Sequence, residues 1–435
     1  GVASIYDYLE RRFGLTSRSL MAGIFLFGNI AYSGIMLYTT ALVLQFITGI
    51  PVIDSILVIA LVALVYTMMG GIAAVIWTDV AQTAILLLGA ILVLVSLITA
   101  LPNGFGGALA ELNSRGLTDP FETTIDPSVV ATIWTGIVAM SIYHVVVYGV
   151  NQMMVQRTLT AKTIGDAKKS YMMMGYSAFF IFALFFIMGI LFNSYYGGKE
   201  FSNGNVIMLE FIAEVGMPGL MGVIAAAVVA ASMSSLDSSL NSMATVTTID
   251  FYQKFVKKEA SPKHYLLATR LFTLAWGLII VLPAIAFMRS DGSVLELLSK
   301  IGSFFVGAKL AAYGLGFYSK HTTEKGLLIG VAAGFACLWY VEFNLDIAWP
   351  WYCAIGGLVS MVVGWVSSVL LDGFQKEHHV YTVKGQQELY RVEKRAEKQD
   401  GWYLVPGKVD KSSYGLLVFF FLTLGALWSF QALID

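Results

Sequence analysis

Apolar runs long enough to cross about 30 Å of hydrocarbon dominate this chain, and polar residues gather in the gaps between them. Eleven such runs predict membrane-spanning helices near 19–48, 51–69, 72–100, 130–152, 171–193, 218–248, 265–289, 296–318, 325–344, 350–371 and 413–434. The first and sixth exceed one straight crossing, so they have to tilt, bend or emerge from the bilayer. Between spans, 101–129 and 193–217 read as long outer loops, with short helices expected near 106–113 and 206–215. The charged stretch 372–412, with a solvated helix expected over 388–398, reads as a tether to the last span. The expected fold class is an all-α polytopic membrane protein, a single transmembrane domain over 1–435.

Composition agrees. Hydrophobic residues make up 57% of the chain and charged residues 13%, far more apolar than a soluble domain of this size needs. A net charge of −1 gives no electrostatic footprint for nucleic acid. The expected partners are the lipid bilayer and a small-molecule solute, with a monomer as the expected state. Cys337 and Cys353 both fall in apolar spans and read as free thiols. With residue 1 on the cytoplasmic side, the cytoplasmic segments hold 21 of the 27 Lys and Arg residues. That bias orients the chain and places Asp435 outside. The absence of an Asn-x-Ser/Thr sequon favours a bacterial inner membrane.

The sixth span carries the chemistry. Ala231, Ser234, Ser235, Asp237, Ser238, Asn241, Ser242, Thr245 and Thr248 fall within one arc of about 160° on a helix. An acid facing lipid costs roughly 2.5–3.5 kcal/mol, so Asp237 is expected to face protein or a wet cavity. Hydroxyls, an amide and a carboxylate are the oxygen donors that a small hard cation takes in place of water. The competing reading is close helix packing by small residues. Asp79, seven residues into the third span, has Gln82 and Thr83 on its face; its competing role is helix-start electrostatics. Asn29 is a lone amide that suits either solute contact or packing. Lys309, about 13 Å inside the eighth span, either snorkels to the interface or faces a solute carboxylate or internal acid.

Three motifs resemble the sodium:solute symporter family, the group with the sodium–galactose and sodium–sialic acid transporters. They are Gly70-Gly71-Ile72-Ala73-Ala74-Val75-Ile76-Trp77-Thr78-Asp79-Val80-Ala81-Gln82, the stretch Asn151-Gln152 to Gln156-Arg157 with Ala161-Lys162, and the serine-rich helix ending Ile249-Asp250-Phe251-Tyr252. The resemblance implies an inverted-repeat core of five plus five helices. It also implies three further helices before the segment from Ala3 to Phe13, including a broken helix that shares the ion and solute sites, so the chain reads as an N-terminally truncated symporter.

By that resemblance, the Ala231 carbonyl and the Ser234 and Ser235 hydroxyls hold the principal sodium ion. A second sodium is implied near Asp79, with Asp237 and Ser238 at the positions facing it. An Asp in place of the usual hydroxyl either strengthens that site or forms a proton-sharing pair with Asp79. On the solute side His144 stands where galactose-type members have an asparagine, beside Tyr143 and Tyr148. Ser299 stands at a glutamine position, which counts against galactose itself. The function implied is sodium-coupled import of a small polar solute, a sugar or sugar acid, by alternating access with one or two sodium ions. A sensory membrane module of the same fold is the alternative. No Ser–His–Asp or zinc-ligand pattern supports an enzyme.

Overall fold

The computed structural model describes residues 4–434 except 118–120, 202–203, 217–218 and 289–293; Arg289, at one expected span edge, lies outside the described residues. A short helix α1 (Tyr6–Arg12) precedes α2 (Leu15–Thr48), α3 (Val52–Ala100) and α4 (Gly104–Ser114). A π-helical turn, Thr135–Met140, leads into α5 (Ser141–Gly149), followed by α6 (Gln152–Thr158), α7 (Ile164–Tyr195) and α8 (Ile207–Val215). The serine-rich helix α9 (Leu220–Val246) runs on as a π-helix, Thr247–Val256. Then come α10 (Pro262–Ile279), α11 (Val281–Phe287), α12 (Val294–Tyr318), α13 (Glu324–Asn344), α14 (Tyr352–Asp372), α15 (Val383–Val392) and α16 (Tyr414–Ile434).

Among the described residues, eight helices are long and apolar enough to cross a membrane. A ninth crossing follows if the pair Thr135–Gly149 and Gln152–Thr158, bent by 51°, counts as one. This is the segment expected as a straight span over 130–152. Asn151 causes the break: its backbone is extended and its side chain accepts from the Met153 N–H, capping a new helix start. The stretches expected as spans 51–69 and 72–100 join in α3, with an apolar helix, Val52–Val65, ahead of the membrane-length part Ile76–Ala100.

The other starts have the same local logic. Thr163, Ser261 and Thr323 each accept a backbone N–H at a helix N-terminus, and Pro262 follows Ser261 where a missing N–H costs nothing. Helices α13 and α14 pack through small residues, so that a Cβ on Gly330 would collide with the Ser360 carbonyl. In the main core Phe25, Leu37 and Ala41 of α2 join Leu236, Leu240 and Met243 of α9 and Ala312 and Tyr313 of α12. That packing fixes the polar face of α9 against α2 and α3.

The stretch 372–412 is folded rather than a plain tether. Its helix is α15, starting where Thr382 caps Gly385 and ending at Val392, so it overlaps only the first part of the expected 388–398. A two-stranded hairpin, β1 (Lys398–Gln399) and β2 (Trp402–Tyr403), follows it. Lys168 of α7 anchors this unit through Asp410 at 2.5 Å and the Tyr403 carbonyl at 2.6 Å.

Candidate ion and solute site

Helix α9 presents its polar residues to two neighbours at once. Toward α2, Ser239 donates to Asn29 at 3.2 Å and shares a 2.6 Å hydrogen bond with Ser33, while the Asn29 amide donates to the Phe25 carbonyl. Asn29 thus lies in the seam between α2 and α9. One turn earlier, the Ser235 hydroxyl lies 3.3 Å from the Ala231 carbonyl, and Tyr32 of α2 reaches Ser235. Ala231, Ser234 and Ser235 are half-buried against protein.

Toward α3 the contacts are ionic. Ser234 donates to one Asp79 oxygen, and Arg157 of α6 pairs with the other. The same guanidinium donates to Ser238 at 2.5 Å. Asp237 turns to a different part of α3, where Thr67 lies 2.6 Å from its Oδ1. Its Oδ2 is buried without a hydrogen-bond partner, as are Gln82 Oε1 and Asn241 Nδ2. Asp79 and Asp237 therefore have separate partners, while Asp79 stays near enough to act on Asp237 electrostatically. A cavity of about 600 Å³ borders the ion pair, lined by Ile76, Asp79, Arg157, Thr158, Tyr171 and Met174 among others.

The donor set at the expected principal cation position, the Ala231 carbonyl with the Ser234 and Ser235 hydroxyls, is all oxygen, as a hard cation requires. The Ser235 hydroxyl donates to the Ala231 carbonyl one turn back at 3.3 Å, the bond a helical serine makes with its own backbone, which leaves both oxygens on one face of α9. The residues present fit part of such a site. At Asp79 a guanidinium already supplies the positive charge.

His144 is held by its Nδ1 at 2.8 Å from the Met140 carbonyl, with its ring stacked on Tyr148 at 5.5 Å and edge-on to Tyr143 at 5.4 Å. Tyr143 touches α12, where a Cβ on Gly302 would lie 2.8 Å from its hydroxyl. Ser299 is half-buried one turn away on the same helix. Lys309 is 6% exposed, with its ammonium 5.4 Å from the centroid of Phe25. Sequence reasoning assigned no role to Arg157 or Thr67. Arg157 carried a signal, being a basic residue inside the second motif; Thr67 sits in an apolar run with none.

The sodium:solute symporter family model matches residues 1–334. The chain belongs to the sodium:solute symporter family. It is 26% identical over 379 residues to the sodium/sialic acid symporter SiaT of Proteus mirabilis, covering 85% of this chain and 76% of that one. It is 29% identical over 353 residues to the sodium-dependent multivitamin transporter of Oryctolagus cuniculus. There it covers 78% of this chain but 54% of the relative, so the chain spans about half of that protein's length. A solved Na+-coupled sialic acid symporter, in a substrate-bound outward-open state, superposes with a TM-score of 0.76 at 25% identity, over 86% of this chain and 78% of that one. Sodium is the coupling ion of this family, and its members are transporters rather than enzymes. With its apolar helices, the chain is a multi-pass membrane protein.

Proposed function

We propose that this chain is the membrane core of a sodium-coupled symporter that imports a small polar organic solute, a sugar or sugar acid, by alternating access. The observation that carries the reading is the family match over residues 1–334, with the Ala231 carbonyl and Ser235 hydroxyl on one half-buried face of α9 as the candidate ion position. A symporter needs such a site where two packed helices can part and close. Ser234 stands beside them and links that position to Asp79. The solute position lies along α5 and α12, among Tyr143, His144, Tyr148 and Ser299. Residue 1 lies on the cytoplasmic side of a bacterial inner membrane and residue 435 outside, so the inward sodium gradient and the membrane potential, about 2.3 kcal/mol per charge per 100 mV, drive uptake.

The test is solute uptake by the full-length protein in proteoliposomes, across sugars, sialic acids, amino acids and monocarboxylates, with and without an inward sodium gradient. Uptake of one class that collapses without sodium supports the reading. Uptake of none, together with no saturable binding of radioactive sodium, rejects it.

A further inference from the structure

The hairpin β1–β2 is held at the end of a membrane helix. A Cβ on Gly165, in the first turn of α7, would lie 2.7 Å from the Trp402 indole, and Asp410 accepts from the Tyr403 N–H at 2.9 Å as well as from Lys168. From Lys411 the chain enters a membrane-length span, Lys411–Ser429, none of whose residues is buried in protein. Between the hairpin and that start lies a cavity of about 490 Å³, lined by Lys398, Asp400, Trp402, Tyr403, Asp410 and Lys411 among others. Its charges do not cancel. Asp410 is taken by Lys168 at 2.5 Å, and Lys408, beside the Tyr403 ring, is taken by Glu397 at 2.7 Å. Lys398 lies 4.2 Å from the centroid of the same ring, and among the described residues neither it nor Lys411 forms an ion pair. Two unpaired cations therefore face one exposed acid, Asp400, and one negative charge balances the cavity.

The helix that leaves the cavity selects the source of that charge. Tyr414, Leu417, Val418 and Phe421 of α16 recur at i, i+3, i+4 and i+7, so they share one stripe, and each is more than half exposed. A phospholipid has a phosphodiester for the lysines and acyl chains for the stripe, whereas a free phosphate has no use for the stripe. Trp402 and Tyr403 suit the level of the headgroups, where amphipathic rings collect. We propose that the hairpin and the starts of α7 and α16 form a binding site for an anionic phospholipid. Its phosphodiester lies between the ammonium groups of Lys398 and Lys411, and its acyl chains lie along the α16 stripe. Lys168, already committed to Asp410, positions the hairpin rather than the lipid. A bound lipid clamps the folded unit 372–412 to the membrane surface, whatever solute the protein carries.

The experiment is native mass spectrometry of the purified full-length protein, titrated with phosphatidylglycerol and separately with zwitterionic phosphatidylcholine of the same acyl chains. Wild type is expected to hold its first phosphatidylglycerol about tenfold more tightly than phosphatidylcholine, the order that two lysines near a membrane surface supply. The double variant Lys398→Gln, Lys411→Gln should lose that preference. Glycerol phosphate, which has the charge but no acyl chains, should not compete at the same concentration. No preference in wild type, or the same preference in the double variant, overturns the proposal. Competition by glycerol phosphate overturns it too, because the cavity would then belong to a soluble phosphate. If the double variant does not fold, cross-linking on wild type decides: phosphatidylglycerol with a photoreactive group near the top of one acyl chain should tag 398–421. Tagging only elsewhere overturns the proposal. None of these measurements uses transport, so a protein that takes up no solute fails the symporter reading alone.

Discussion

Arg157 on α6 pairs with Asp79 on α3 while donating to Ser238 on α9, so one guanidinium ties three helices of the candidate site together. The pair is partly shielded, with side-chain exposures of 30% and 19%. Its strength therefore falls between that of a surface pair and that of a fully buried one. A cation at Asp79 would have to displace Arg157, and the adjoining cavity gives that side chain room to swing.

Arg157→Gln is expected to lower the unfolding free energy by about 1–3 kcal/mol, because it strands the Asp79 carboxylate. Asp79→Asn should cost a similar amount, and the double variant should recover part of the loss. With the guanidinium gone, Asp79, Ser234 and Ser238 are left free as oxygen ligands. Sodium should then raise the melting temperature of Arg157→Gln more than that of wild type. Equal sodium shifts in both proteins would show that the position takes no metal cation even when vacated.

Ser235 and Ser239 lie one turn apart on α9, yet their roles separate. Ser235→Ala removes a hydroxyl from the proposed sodium position and should weaken sodium affinity about tenfold or more, roughly 1.4 kcal/mol. Ser239→Ala breaks the seam to Asn29 and Ser33 and should cost about 1 kcal/mol of stability with sodium affinity unchanged. Sodium titration of uptake, normalised to folded protein, reads both. A Ser235→Ala variant with wild-type sodium dependence would remove that residue from the site.

Long apolar runs made the membrane class and most helices readable from sequence, because a helix that must bury every backbone group in lipid leaves little choice of pattern. The break at Asn151 was not readable from hydropathy, since one capping side chain outweighed a continuous apolar run. The fold of 372–412 was hidden for the opposite reason: its order comes from anchors such as Lys168–Asp410, which local pattern does not encode. The site split the same way. Helical spacing placed Ala231, Ser234, Ser235, Asp237 and Ser238 together on α9, but it could not say what stands across from them. Thr67 lies 170 residues from Asp237, and only tertiary packing brings the two into contact.

Lys309 is a buried ammonium whose observed neighbour is the face of Phe25. A cation–π contact offsets part of the desolvation of a lysine, by about 2 kcal/mol when shielded from water, but supplies no counter-ion. Lys309→Met should therefore leave the fold as stable or slightly more so. If the solute is a sugar acid, the same variant should reduce its uptake while sparing a neutral analogue. Equal loss for charged and neutral solutes would assign Lys309 to the architecture of the helix pair α2–α12 instead.

The face of the molecule that carries α1 is closed by a second ionic cluster, and it behaves differently from the one at Asp79. Arg18 of α2, only 2% exposed, bonds Asp250 at 2.6 Å and Asp7 at 3.3 Å and also pairs with Glu10. Ser4 donates to the same Asp250 oxygen at 3.0 Å, and Lys254 meets Glu10 at 2.9 Å. The cluster thus joins α1, α2 and the π-helical end of α9. Arg18→Ala leaves the Asp250 carboxylate buried without its cation and should cost about 3–5 kcal/mol. Arg18→Lys should rescue only part of this, because an ammonium lacks the fork that reaches Asp250 and Glu10 together. Burial alone would push the Glu10 carboxyl up, but Lys254 and Arg18 outweigh it and hold the group below its ordinary value. A depressed folded value means that Glu10 stabilises the fold fully above its unfolded value, about 4.3. That contribution disappears as pH falls through the folded value. Melting temperature should therefore hold from neutral pH to about pH 5 and drop below about pH 4. In Glu10→Gln the acid-side drop should be shallower, measured by thermal unfolding in detergent across that range. An identical acid limb in wild type and Glu10→Gln would show that this pair does not hold the α1 face closed.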